Sequence, residues 1–221
     1  RDGMEVDGLR DVDYVLTTRE LGRMIEYANI DFTELKDSPF DHPLGMASGA
    51  GAIFGTSGGV MEAALRTAAD KLTGQDLPKL EYTQVRGQEG IVETTIQIGE
   101  TSLNIAVASS LKNARIIMEQ IKAGTCKYHF IEIMSCPGGC IMGGGQPIKS
   151  SKTLNGIDVK NRRKEAIYKI DEQSTIRKSH QNPVVLTTYQ EFFGSPGSEL
   201  SHKYLHTHYY AQPLYDIEHS Q

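Results

Sequence analysis

Apolar residues recur along the first 150 positions in two alternating periods. Val12 to Leu16 reads as a strand. Thr17 then opens a helix, with Glu20 three residues on as a capping box. Leu21, Met24, Ile25 and Ala28 follow at helical spacing and form its expected buried stripe. After an acidic stretch to Asp41 comes a glycine-rich loop, which runs into a helix from about Val60 to Leu72. Met61, Ala64, Leu65, Ala68 and Leu72 are its apolar face, and Gly74 stops it. Ile91 to Ile98 alternates like a strand, and Gly99-Glu100 suits a tight turn into a second strand, Ser102 to Ala108. Ser110 caps a helix carrying Leu111, Ala114, Ile117, Met118 and Ile121, which closes at Gly124. Tyr128 to Met134 is the last predicted strand.

Strands alternating with helices predict an α/β fold, with a mostly parallel sheet flanked by helices and function at strand C-terminal ends. From Ser150 the character changes. Lys160 to Lys178 is a basic helical segment, and a tail rich in Pro, Gly, Ser and His follows. That tail is expected to wrap the domain, because its apolar content is too low for it to fold alone. The division falls at 1–150 and 151–221.

The chain has 221 residues, enough for a full core without disulfide staples. Its net charge of −5 argues against a dedicated nucleic-acid binder. Charge is unevenly placed: residues 1–50 carry 5 basic and 11 acidic side chains, residues 148–180 carry 9 and 4. Two solvated surfaces of opposite sign account for this; docking of a charged partner on the basic one is the functional alternative. The longest uncharged run, Leu44 to Met61, has 18 residues, but six are glycine, so no membrane span is expected. Arg1 to Asp13 shows no signal-peptide pattern. A cytoplasmic location is expected, and a periplasmic one stays open because an export signal would precede Arg1.

The chemistry concentrates in Cys136-Pro-Gly-Gly-Cys140-Ile-Met-Gly-Gly-Gly-Gln-Pro147. Two thiolates four residues apart can face one centre if the turn between them is tight, and Pro137, Gly138 and Gly139 supply that turn. Gly143, Gly144 and Gly145 let backbone approach a bulky ligand. Amides freed in such a loop can stabilise an anionic cluster, and soft thiolates select iron–sulfur clusters, zinc or copper(I). A buried pair of cysteines beside a turn is the plain alternative. Three cysteines argue against a disulfide framework, the spacing is wrong for a thioredoxin-type pair, and zinc needs two more soft ligands. Cys126 reads as a bystander.

Gly49 to Gly59 precedes a helix and, read alone, is a weak phosphate-cradling signal that matches neither a Walker A nor a Rossmann fingerprint. His202, His206 and His208 are spaced HxxxHxH. The first two can share a helix face and bind zinc, but no nearby carboxylate or cysteine completes a site, so they are expected to pin the tail. His180 reads as a helix-end residue.

The segment Cys136–Pro147 resembles the third cysteine motif of the iron-only (di-iron) hydrogenases. Val12–Leu21, Gly49–Leu65 and Ser201–Tyr209 also resemble that family, so the likeness covers nearly the whole chain. The resemblance implies one lobe of a two-lobed catalytic domain with a wrapping C-terminal tail. It implies reversible reduction of protons to dihydrogen, an oxidoreductase activity drawing electrons from ferredoxin or a similar carrier. The implied cofactor is the H-cluster, a four-iron four-sulfur cubane joined to a di-iron subcluster. By the same resemblance Cys136 is a cubane ligand, Cys140 also bridges to the di-iron unit, Met134 lies beside that unit, and Phe54 is a pocket wall. Gly138, Gly139, Gly143, Gly144 and Gly145 line the cofactor, and the Gly49–Gly59 loop closes over the di-iron end. The family's first two cysteine motifs are absent from this sequence, with two cubane ligands, the cluster-contacting lysine and the proton-relaying cysteine. The expectation is therefore a C-terminal half that is inactive without a complementing N-terminal half. A non-catalytic iron–sulfur protein of cluster assembly is the competing class, and a nucleotide-binding α/β protein is a third.

Overall fold

The computed structural model describes residues 5–6, 8–38, 46–80, 83–86, 88–150 and 156–206. Strands β1 (Glu5–Val6) and β2 (Leu9–Arg10) form a small antiparallel hairpin. The expected strand at Val12–Leu16 does not form. The segment pairs with no other strand and lies at the surface, with Tyr14 86% exposed; without a ladder partner an alternating run stays irregular. Helix α1 (Thr18–Tyr27) starts as predicted. The Glu20 amide donates to Thr17 Oγ1 and the Thr17 amide to the Glu20 carboxylate. Its apolar stripe is a correction, since no residue of α1 is buried and Leu21 and Met24 are about half exposed.

Helix α2 (Gly49–Ala52) is capped by Ser48 and passes through a 3-10 turn, Ile53–Gly55, toward α3 (Gly59–Thr73). Gly74, with φ +68°, ends α3 as expected. The buried face of α3 is rotated from the predicted stripe. Met61, Leu65 and Ala69 pack on the sheet, Ala63 joins Ala50 and Ile53 on another side, and Ala64 and Leu72 are exposed. The helix is gripped from two sides, which one stripe cannot report.

The main sheet follows: β3 (Thr83–Gln84), β4 (Ile91–Ile98) and β5 (Thr101–Ser109), then helix α4 (Ser110–Lys122) and β6 (Phe130–Met134). Its order is β3-β4-β5-β6. The α/β class and the flanking helices hold, but the mostly parallel sheet does not: β3–β4 and β4–β5 are antiparallel, and β5–β6 alone is parallel. The physical reason is the Gly99-Glu100 turn. A two-residue connection joins antiparallel neighbours, whereas the α4 crossover is long enough for a parallel return. Ile96, Ile98 and Ile105 face α3; Ile91, Ala106 and Ala108 face Ile117 of α4. The capping residue of α4 is Ser109, not Ser110, whose φ is +78°. Leu111, Met118 and Ile121 of the expected stripe are exposed.

The C-terminal segment forms α5 (Val159–Gln173), a 3-10 turn Ser179–Gln181, α6 (Pro183–Thr188) with a π-helical turn Tyr189–Phe193, and α7 (Glu199–Leu205). The basic helix thus stops at Gln173 rather than Lys178. Ion pairs clamp this segment to α3. Arg66 donates to both oxygens of Asp171, at 2.7 and 2.8 Å, and Arg177 donates to the same carboxylate at 2.7 Å. Lys178 and His180 both meet Asp70, at 2.7 and 2.6 Å. No described helix is long and apolar enough to cross a membrane.

Candidate metal centre

Strand β6 carries the chain to Met134, which is half-buried, and two residues later to Cys136. Cys136 is half-buried and Cys140 exposed, and both are free thiols. The turn between them closes through the Gly139 amide donating to Cys136 O at 3.0 Å. Cys140–Met142 is a 3-10 turn, and Gln146 Nε2 donates back to Cys140 O at 3.3 Å. The sulfurs therefore sit on a short, self-bonded loop at a strand end.

The two glycine-rich segments come together there. The Ser57 amide donates to Gly138 O at 3.2 Å. Gly139 has φ +89°, and a Cβ on it would lie 2.6 Å from Ser57 N and 2.7 Å from Gly55 O, so only glycine fits. The other loop glycines have different neighbours. Gly138 faces Met142 and Lys160, and Gly145 faces Thr17; a Cβ on Gly143 would stand 3.9 Å from Cys136 Sγ, and one on Gly144 would meet open space. Ile53 is fully buried, whereas Phe54 points outward and is 45% exposed.

Glu132 escaped the sequence reading. Its buried carboxylate accepts from the Gly58 amide at 2.6 Å and the Met61 amide at 2.8 Å, so β6 itself caps α3. One acidic residue in the apolar run Phe130–Met134 was the available signal. Asp171 was missed as well. It abuts Gly49 with no room for a Cβ, and the Gly49 amide donates to Ile176 O at 2.8 Å. Burial alone pushes the Asp171 carboxyl up; the hydrogen bonds from Arg66 and Arg177 outweigh it and hold the group below the usual carboxylate range. Arg66 is raised in turn by the Asp171 and Glu62 bonds against its own burial.

Remaining candidates lie elsewhere. Cys126 packs beside Ile91 and Ile117 in the sheet–α4 cluster, away from the cysteine loop. His180, expected at a helix end, sits in the 3-10 turn and bonds Thr67 and Asp70. The rings of His202 and His206 are 4.5 Å apart; His208 and the end of the tail, 207–221, lie outside the described residues. A cleft of about 810 Å3 between α3 and α5 is lined by Arg66, Tyr168 and Lys178 and by no cysteine.

Among the described residues no three His, Cys, Asp or Glu side chains converge on a metal ion. The donor set at the loop is two thiols. They fit a thiolate-held cluster as part of its protein ligands, with open space at the Gly144 position of the same loop.

Residues 1–144 match the sequence model of the iron only hydrogenase large subunit, C-terminal domain, and residues 157–212 match that of the iron hydrogenase small subunit. The chain belongs to the iron-only hydrogenase family. It is 47% identical over 209 residues to Iron hydrogenase 1 of Clostridium pasteurianum, a match covering 95% of this chain and 36% of that protein. It is 33% identical over 208 residues to cytosolic iron-sulfur assembly component 3 of Mus musculus, covering 91% of this chain and 42% of the relative. Among solved structures, an apo FeFe-hydrogenase HydA1 variant from Chlamydomonas reinhardtii superposes with a TM-score of 0.76 at 39% identity, over 95% of this chain and 58% of that one. The chain thus spans about a third to a half of the curated relatives it matches. Membership in this hydrogenase family implies an iron–sulfur cofactor of the H-cluster type.

Proposed function

We propose that this chain is the distal part of a hydrogenase catalytic domain, which reversibly reduces protons to dihydrogen with electrons from ferredoxin or a similar carrier. In this reading Cys136 and Cys140 would supply two of the four thiolates that hold a four-iron cubane joined to a di-iron subcluster. The cluster, when bound, supplies the redox chemistry. The chain's own residues ligate, shape and dry the site: Met134 and Phe54 flank the di-iron side, Gly138, Gly139, Gly143, Gly144 and Gly145 form the loop around the cofactor, and 151–221 serves as a small-subunit-like segment. The observation that carries the reading is the pair of free thiols on a strand-end turn pressed against the Gly49–Gly59 loop. The other two thiolates come from a preceding half that packs on the exposed face of α1. A cytoplasmic location belongs to this reading, and cell fractionation separates it from a periplasmic one.

The second reading is a non-catalytic iron–sulfur protein of cluster assembly, favoured by the assembly-component relative. Met134, Gln146-Pro147 and the glycine loop are reasons to rank hydrogenase chemistry first. Anaerobic reconstitution with iron and sulfide, with and without a complementing amino-terminal half, tests both. A stoichiometric cubane is expected only with the complement, and hydrogen evolution only once the di-iron subcluster is also supplied to that complex. A stable cubane on the 221 residues alone overturns the half-ligand reading, and a complemented, cubane-loaded protein that gains no hydrogenase activity when the di-iron subcluster is supplied selects the assembly class. Cys136→Ser and Cys140→Ser each abolish assembly, and Cys126→Ser leaves it intact.

A further inference from the structure

Cations reach the cysteine loop from both ends of the chain. Arg163 on α5 donates to Ile141 O at 2.6 Å, inside the turn that follows Cys140, and lies 3.9 Å from the Met142 sulfur. Arg19 on α1 donates to Gly144 O at 2.9 Å. The Lys160 stem runs over Gly138, its Cε 3.4 Å from where a Cβ would stand.

These three differ from the cations that clamp the C-terminal segment to α3. Arg66, Arg177 and Lys178 each lie within 2.7 Å of a carboxylate. Among the described residues, Arg19, Lys160 and Arg163 have no carboxylate within ion-pair distance, and the loop they meet carries two thiols and no acidic side chain. Three cations around a loop without acidic side chains leave a positive field there, which an anionic cofactor would offset. A guanidinium satisfied only by a peptide carbonyl keeps nearly its whole charge available to a neighbour.

Resting on the functional reading above, we infer that Arg19, Lys160 and Arg163 form a cationic collar that raises the reduction potential of the anionic cluster held on Cys136 and Cys140. Each electron added makes such a cluster more negative, so a nearby cation stabilises the reduced form most. Arg19 and Arg163 are also positioning residues, because they fix the Gly144 and Ile141 carbonyls on either side of Gly143. Lys160 touches the loop only through its aliphatic stem and contributes charge alone.

The test is an EPR-monitored redox titration of the cubane in the complex of this chain with the preceding portion of Clostridium pasteurianum iron hydrogenase 1. Lys160→Gln and Arg163→Gln should each shift the reduction equilibrium toward the oxidised form by roughly three- to tenfold, tenfold being about 59 mV for one electron. Arg163→Lys should return the potential toward that of the unchanged complex even if cluster yield stays low, which separates charge from loop pinning. Lys160 is exposed and makes no hydrogen bond to the loop, so its variant reports on charge even if Arg163→Gln fails to assemble. Unmoved potentials in Lys160→Gln and in the Arg163→Lys variant's comparison with Arg163→Gln overturn the collar while leaving the ligand assignment standing. An unchanged complex that holds no cubane removes the functional reading, and the collar with it.

Discussion

Gly139 shows how much of the site rests on one missing side chain. Its positive φ and the nearness of Ser57 N and Gly55 O are two separate demands, one on the backbone and one on space. Gly139→Ala should therefore cost about 1–3 kcal/mol in denaturant unfolding, within the usual range for a strained left-handed residue. Gly144→Ala, with open space at its Cβ position, should stay within about 0.5 kcal/mol, like other surface changes. The cysteine spacing and the glycine run announced a tight loop at a strand end because both are local properties of the chain. Glu132 and Arg163 were not legible, since a carboxylate in a strand and an arginine in a basic helix look like any others until the fold sets them against the Gly58 amide and the Ile141 carbonyl.

At the scale of elements, α3 is held by β6 at its start and by the C-terminal segment along its side. The side grip is ionic. The Asp171 side chain is fully buried, and its partner Arg66 is 8% exposed. Removing one member of such a buried pair strands the other, so Asp171→Ala should destabilise the chain by about 3–5 kcal/mol, measured by urea unfolding. A replacement of the pair by apolar side chains of similar volume should cost far less. The clamp also sets a pH dependence. Hydrogen bonds from Arg66 and Arg177 depress Asp171 despite its burial, and those from Lys178 and His180 depress Asp70. A depressed carboxyl contributes stability that is present above its unfolded value, about 3.9, and is lost as pH falls through the lower folded value. Stability against urea should hold down to about pH 4 and fall below it, and Asp171→Asn should flatten that acid limb. Periodicity located α1, α3, β4, β5 and α4, because period and caps are written in neighbouring residues. It misjudged which faces are covered, because coverage of α3 depends on α5, a partner remote in sequence.

Large apolar side chains stand exposed on α1 and beside it in sequence. Leu21 and Met24 of α1, with Tyr14, Tyr27 and Phe32 close in sequence, stand 49–88% exposed. An expanse of that kind marks an interface. Leu21→Glu with Met24→Glu should leave the chain's own unfolding midpoint nearly unchanged while weakening association with the complementing half, read by analytical ultracentrifugation. Unaltered association would place the complement elsewhere. The sheet teaches the same lesson about range. Gly99-Glu100 foretold a tight turn, and a tight turn already demands antiparallel neighbours, yet the alternation of helix and strand suggested a parallel sheet. What the order of residues settled is local: the cysteine turn, the glycine loop, the Thr17 capping box, and the family to which these motifs belong. What folding in three dimensions settled is which of these meet. Gly139 against Ser57, Glu132 beneath α3, Asp171 behind Gly49, and three cations around one loop are contacts between distant positions. Their energies come from burial and charge in a shared space that no short window of sequence contains.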